Sequence, residues 1–139
     1  MFQNILVPVD FSTKTQEALQ VAIMLAQQHH SKINLLHVIE TIADASFEEF
    51  SEFYMQLENR TRRKMDELVE GYHQQPIHLE ERIVYGNRVQ AILDFIELHN
   101  IDLVVMRSHQ VNLEDPGTNW GTISYKVGVL APCPVMLVK

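Results

Sequence analysis

The stretch NILVPVDFSTKTQEALQVAIMLAQQHH, residues 4–30, decides how the rest of the chain is read. Residues 4–9 form a short apolar run of strand length, whereas Ala18, Ala22, Leu25, Ala26 and His29 recur at helical spacing within 15–30. The pattern predicts a strand that passes directly into a helix. In the turn between them Ser12 and Thr13 are candidate N-caps, with Gln16 three residues after Thr13 as in a capping box. Pro8 brings no N–H to a ladder, so the strand is expected to end beside Asp10.

Working outward, INLLHV at 33–38 is a second apolar strand. Over 47–73 the positions Phe50, Tyr54, Leu57, Thr61, Met65, Leu68 and Tyr72 trace one stripe with charges between them, as an amphipathic helix requires. Gly71 weakens its end. Residues 77–84 predict a third strand, more polar than the others and therefore expected at or near a sheet edge. Gly86 and Asn87 break it, and Val89, Ile92, Leu93 and Ile96 make a third helix ending near Asn100. LVVM at 103–106 is a strand of wholly buried type. A loop of about fourteen residues precedes a short fourth helix over 122–130. Pro132 and Pro134 then punctuate the turn before a last strand at 135–138.

Continuous apolar strands separated by amphipathic helices predict an α/β fold, a single five-stranded doubly wound parallel sheet with helices on both faces. Such sheets bind ligands outside the carboxyl ends of their strands, where strand order reverses. That rule directs attention to Asp10 and to the segment after Met106.

Composition narrows the function classes. The 139 residues suit one domain, and 46% apolar with 21% charged side chains is ordinary globular usage. Eighteen acidic against eleven basic residues give a formal charge of −7, which repels a phosphate backbone. The one dense basic stretch, 60–64, lies in an acidic region and reads as a solvated helix face, so no nucleic-acid partner is expected. Cys133 is the only cysteine, no apolar run approaches a membrane span, and residues 5–9 stop at Asp10 without a basic leader. The expectation is a cytoplasmic protein with no membrane partner. The seven histidines show no zinc-like spacing, so no metal is expected. Walker A and Gly-x-Gly-x-x-Gly patterns are absent from the sequence. Ser108, His109 and Asp10 hold the residue types of a hydrolytic triad, but adjacent side chains on a loop seldom face each other as nucleophile and base.

Four segments together, NILVPVDFS, INLLHVIE, IDLVVMRSH and APCPVMLVK, resemble the universal stress protein family, A-type, along the whole chain. The resemblance implies a single Rossmann-like domain over 1–139, strand order 3-2-1-4-5, cytoplasmic location, a homodimer and, in one branch, ATP binding. That branch carries Gly-x2-Gly-x9-Gly-Ser/Thr after the fourth strand. Here the first glycine position holds Arg107 and the second Gln110. The last pair survives as Gly121-Thr122, with ten residues rather than nine after Gln110. Missing glycines remove a backbone nest that approaches phosphates closely. What remains is the start of the fourth helix, where N–H groups of Gly121, Thr122 and Ile123 and the hydroxyls of Thr122 and Ser124 can hold an anion. Arg107 either pairs with phosphate itself, or points to solvent, or meets Glu114 or Asp115.

Asp10 matches the family aspartate that faces adenosine; its alternative role is to cap the first helix. Pro8, Val9, Val38 and Met106 match positions around the adenine, and as plain core residues they would need no ligand. With Arg107, Ser108, His109, Gly121, Thr122, Ile123 and Ser124 they complete the expected nucleotide site. The resulting expectation is a non-enzymatic stress-response dimer with an AMP or ATP site of altered phosphate loop. It would pair through residues 135–138 and have a protein partner not identifiable from sequence. The alternatives are a ligand-free dimeric interaction module of the non-ATP-binding branch and, third, a slow ATPase or nucleotidyl transferase.

Overall fold

Strand β1, Asn4–Pro8, leads into helix α1, Thr15–His29, and the alternation continues to the carboxyl terminus. It runs through β2 (Lys32–Ile39), α2 (Ser51–Val69), β3 (His78–Tyr85), α3 (Arg88–Leu98), β4 (Leu103–Arg107), α4 (Ile123–Leu130) and β5 (Val135–Val138). The structure, a computed structural model, describes residues 1–12, 14–41, 46–108 and 122–139. All strand pairs are parallel and the order is β3-β2-β1-β4-β5, the doubly wound sheet expected from the sequence. β2 and β3 extend the sheet on one side of β1; the chain then crosses over to place β4 and β5 on the other. Strand order therefore reverses between β1 and β4.

Side-chain alternation along the strands divides the core in two. Ile5, Val7 and Val9 pack with Ile33, Leu35, Leu103 and Val105 beneath α1 and α2, against Leu19, Ala22, Met65 and Val69. Leu6 packs with Leu36, Val38, Val104 and Met106 beneath α3 and α4, against Ile92, Phe95, Ile96 and Val127. A one-residue slip of β1 would exchange these faces, so burying Ile5, Leu6 and Val7, each worth roughly 1.5–3 kcal/mol, pins the register. β3 lies at the sheet edge and none of its side chains is fully buried, as its polar sequence predicts.

Two boundaries differ from the sequence reading. The second helix begins at Ser51 rather than 47 and passes into a single 3-10 turn, Glu70–Tyr72. Its buried stripe is Tyr54, Thr61, Met65 and Val69, because the helical period carries the inner face from Met65 to Val69 and leaves Leu68 half-buried. The start of α1 also differs. Its N-cap is Lys14 without a side-chain cap bond. The donors there go to Asp10 instead: Oδ1 accepts from the Ser12 N–H at 3.0 Å and from the Thr15 hydroxyl at 2.8 Å. An ionised carboxylate outcompetes a neutral hydroxyl as acceptor, which explains the exchange. Thr13 lies outside the described residues.

Candidate functional site

Pro8 is the last residue of β1, so the chain leaves the sheet at Val9 and Asp10, next to the point where strand order reverses. The side-chain alternation that sends Leu6 toward α3 and α4 places Pro8 and Asp10 at that same face. There a cavity of about 320 Å³ opens beyond the carboxyl ends of β1, β2 and β4. Pro8, Val9, Leu36, Val38, Ile92 and Met106 give it apolar walls; Asp10, Arg88, Arg107, Thr122 and Ser124 supply its polar groups, and Ile123 completes the lining. An apolar wall with a few convergent polar groups is the usual make-up of a small-molecule site.

Nine of the residues expected from the sequence meet in this cavity: Pro8, Val9, Asp10, Val38, Met106, Arg107, Thr122, Ile123 and Ser124. Ser108 does not line it. That side chain is buried, its hydroxyl accepts from Lys139 Nζ at 3.2 Å, and its N–H donates to the Val138 carbonyl at 2.8 Å. The reason is alternation: the residue after Arg107 turns to the other side of β4, toward the end of β5. His109 and Gly121 lie outside the described residues.

Arg107 pairs with Asp10, which the sequence alternatives did not name; Glu114 and Asp115 lie outside the described residues. The Arg107 Nε donates to Asp10 Oδ2 at 2.7 Å, across the gap between the ends of β4 and β1. Both oxygens of Asp10 are thus engaged, Oδ1 by its own turn and Oδ2 by Arg107. Partial burial alone would raise the carboxyl's pKa, but the bonds from Ser12, Thr15 and Arg107 outweigh it and hold the group well below the ordinary carboxylate range. Asp10 is accordingly ionised throughout the neutral range. One oxygen holds the turn into α1 while the carboxylate lines the cavity.

Three contributors went unread in the sequence. Leu36 and Ile92 look like any other core positions. Arg88, the first residue of α3, is brought to the rim because Gly86 and Asn87 turn the chain sharply after β3; its Nε lies 3.6 Å from Glu40 Oε1. Gly86 has φ 141°, a conformation a Cβ would strain, and the Asn87 side chain caps α3 by accepting from the Gln90 N–H at 3.1 Å. Phe11 also stands out. It follows Asp10 with φ 62°, unusual for a bulky residue. Its ring meets His37 at 4.8 Å and lies beneath Lys64 Nζ at 5.6 Å. His37 Nδ1 in turn lies 2.8 Å from the Val9 carbonyl; burial, reinforced by the Arg88 charge, keeps the imidazole below its ordinary pKa despite that bond. The turn that carries Asp10 is therefore clamped from both sides.

The start of α4 supplies the opposite wall. Thr122 is its N-cap, its hydroxyl accepting from the Tyr125 N–H at 3.4 Å and lying 3.3 Å from the Ser124 hydroxyl. Among the described residues no three His, Cys, Asp or Glu side chains cluster as a metal site would need, and no helix is long and apolar enough to cross a membrane.

Comparison with known proteins places this arrangement in context. The chain is 31% identical, over the whole of both chains, to a protein of Thermus aquaticus described as a universal stress protein in the QAH/OAS sulfhydrylase 3′ region. The solved structure of the protein MJ0577 superposes with a TM-score of 0.84 at 28% identity, covering 100% of this chain and 96% of that one. A universal stress protein family protein of Arabidopsis thaliana, solved with AMP bound, shares the fold with a TM-score of 0.70 at 23% identity, covering 99% of this chain and 91% of that one. Two further universal stress proteins of the same fold were solved in complex with cAMP and, from Archaeoglobus fulgidus, with dAMP. The model of the universal stress protein family matches residues 1–139. With that match over its full length and a five-stranded sheet in the order 3-2-1-4-5, the chain belongs to the universal stress protein family.

Proposed function

We propose that the chain is a non-enzymatic stress-response protein whose cavity binds an adenine nucleotide of the AMP and ATP class. One observation carries this reading: nine of the residues expected from the sequence to form the nucleotide site line one cavity at the reversal of strand order. Val38 and Met106 would flank the base. Asp10 would accept from a ribose hydroxyl through Oδ2, since a carboxylate oxygen can take two donors and Arg107 supplies one. Thr122 and Ser124 at the start of α4 would meet the phosphate end. Relatives of the same fold that hold AMP, cAMP and dAMP support the ligand class.

The same reading includes a homodimer formed through β5 and a cytoplasmic setting, the latter in keeping with a single cysteine. A second reading, a ligand-free dimeric interaction module, is favoured by one feature: Arg107 and Gln110 replace the first two glycines of the phosphate motif. Calorimetric titration with adenosine and AMP separates the two. A nucleotide site gives saturable heat and a raised melting temperature, and Asp10→Ala weakens binding by about tenfold, which is about 1.4 kcal/mol. Absence of heat and of any thermal shift at millimolar nucleotide leaves the interaction module.

A further inference from the structure

We propose that the cavity also takes nucleotides with a 6-oxopurine base, and that Arg88 is the residue that reads the base; the inference rests on the nucleotide reading above, in which the base lies against Val38. Position carries the first half of the argument. Val38 and Ile39 of β2 pair with Val84 and Tyr85 of β3, and the Gly86 N–H donates to the Ile39 carbonyl at 3.0 Å. The chain therefore stays beside the end of β2 until Asn87 caps α3 and Arg88 opens it. Ile92, one helical turn on, is buried in the core with Leu36 and Val38. Residues four apart share a helix face, which brings Arg88 over the same end of β2, next to Glu40. It lines the cavity with Leu36, Val38 and Ile92, whereas Thr122 and Ser124 line it from the opposite wall. The base end of the cavity thus has a guanidinium of its own.

Availability and chemistry carry the second half. Glu40 Oε1 lies 3.6 Å from Arg88 Nε, an ion pair beyond hydrogen-bond reach, and 40% of the Arg88 side chain and 58% of the Glu40 side chain are exposed. Among the described residues the Arg88 guanidinium makes no hydrogen bond, so its fork of N–H donors is open to a ligand. Glu40 does not line the cavity, and the group that meets a base there therefore donates and does not accept. A 6-oxopurine presents two adjacent acceptors, O6 and N7, which a guanidinium takes bidentately. Adenine presents N7 beside the N6 amino donor, which leaves one guanidinium N–H facing another donor. The apolar walls meet the faces of either base alike and do not tell them apart.

The test is calorimetric titration of the full chain with AMP and IMP at fixed ionic strength, since the two differ at the C6 edge of the base. IMP should bind at least as tightly as AMP. In Arg88→Gln the order should reverse: an amide offers one donor and one acceptor and suits the adenine edge, so IMP weakens by at least about tenfold while AMP holds or gains. A merely structural role would move both ligands by the same factor, and that result overturns the proposal. Should Arg88→Gln fail to fold by circular dichroism, 7-deaza-IMP, which lacks the N7 acceptor, decides on the wild type. It should bind about tenfold weaker than IMP, and equal binding overturns the proposal. IMP binding more weakly than AMP to the wild type would sink this inference and leave the nucleotide reading standing. No binding of either by the wild type would remove both.

Discussion

Asp10 shows how a single side chain can be assigned its chemistry from sequence and its partners only from the fold. Its position after an apolar strand directs attention to it as a candidate site carboxylate, and the cavity contains it. Its bonds to Ser12, Thr15 and Arg107 follow from the turn and the strand order. Because these donors favour the ionised form, the folded-state pKa lies below the ordinary value of 3.8. The stabilisation is therefore complete above about pH 4 and is lost as pH falls through the depressed folded value. Asp10→Ala should cost about 1–2 kcal/mol at neutral pH, allowing for solvent screening of a group that is only partly buried. Urea unfolding at about pH 7 and about pH 2 should show that deficit shrinking in acid. A deficit of equal size at both would mean that the ion pair and turn bonds do not carry Asp10's contribution.

At the scale of elements, α2 and β3 illustrate a contact that periodicity does not reveal. The amphipathic stripe predicts which face of α2 is inward, but not that Asp66 on its flank meets Glu81 on the edge strand. Burial, together with the hydrogen bond and charge of Asp66, pushes the Glu81 carboxyl up to about 7. A raised folded pKa gives stability that is present below the unfolded value and lost as pH rises through about 7. Glu81→Gln removes the titration and leaves an amide to face Asp66. The variant should therefore gain on wild type by about 1 kcal/mol between about pH 5 and about pH 8. Parallel melting curves across that interval check it, and a pH-independent difference would contradict it.

For the whole molecule, the open question is what covers the β5 edge. Pro134 and Val138 carbonyls accept from Val104 and Ser108 N–H groups of the β4 segment, so alternation turns the peptide groups of Val135 and Leu137 outward. An edge of this kind invites pairing with a second copy across a two-fold axis. Light scattering should return about twice the 16.1 kDa chain mass. Met136→Lys, which charges an exposed side chain without touching the ladder to β4, should return a monomer of unchanged circular dichroism. A wild-type monomer would refute the pairing. The sequence by itself determined the layer order, the parallel sheet and, through the family resemblance, four of the six apolar wall residues of the cavity. Period and run length are local properties, and a parallel sheet follows once apolar strands alternate with amphipathic helices. It also marked Arg107 and Gln110 as departures from a glycine loop. Only the tertiary structure decided that Arg107 folds back onto Asp10, that Arg88 joins the rim and that Ser108 turns away. Residues 10 and 107 are neighbours solely because β4 lies beside β1, and residues 88 and 40 because α3 starts beyond the end of β2. Such pairings depend on strand order and register, which no local pattern of residues records.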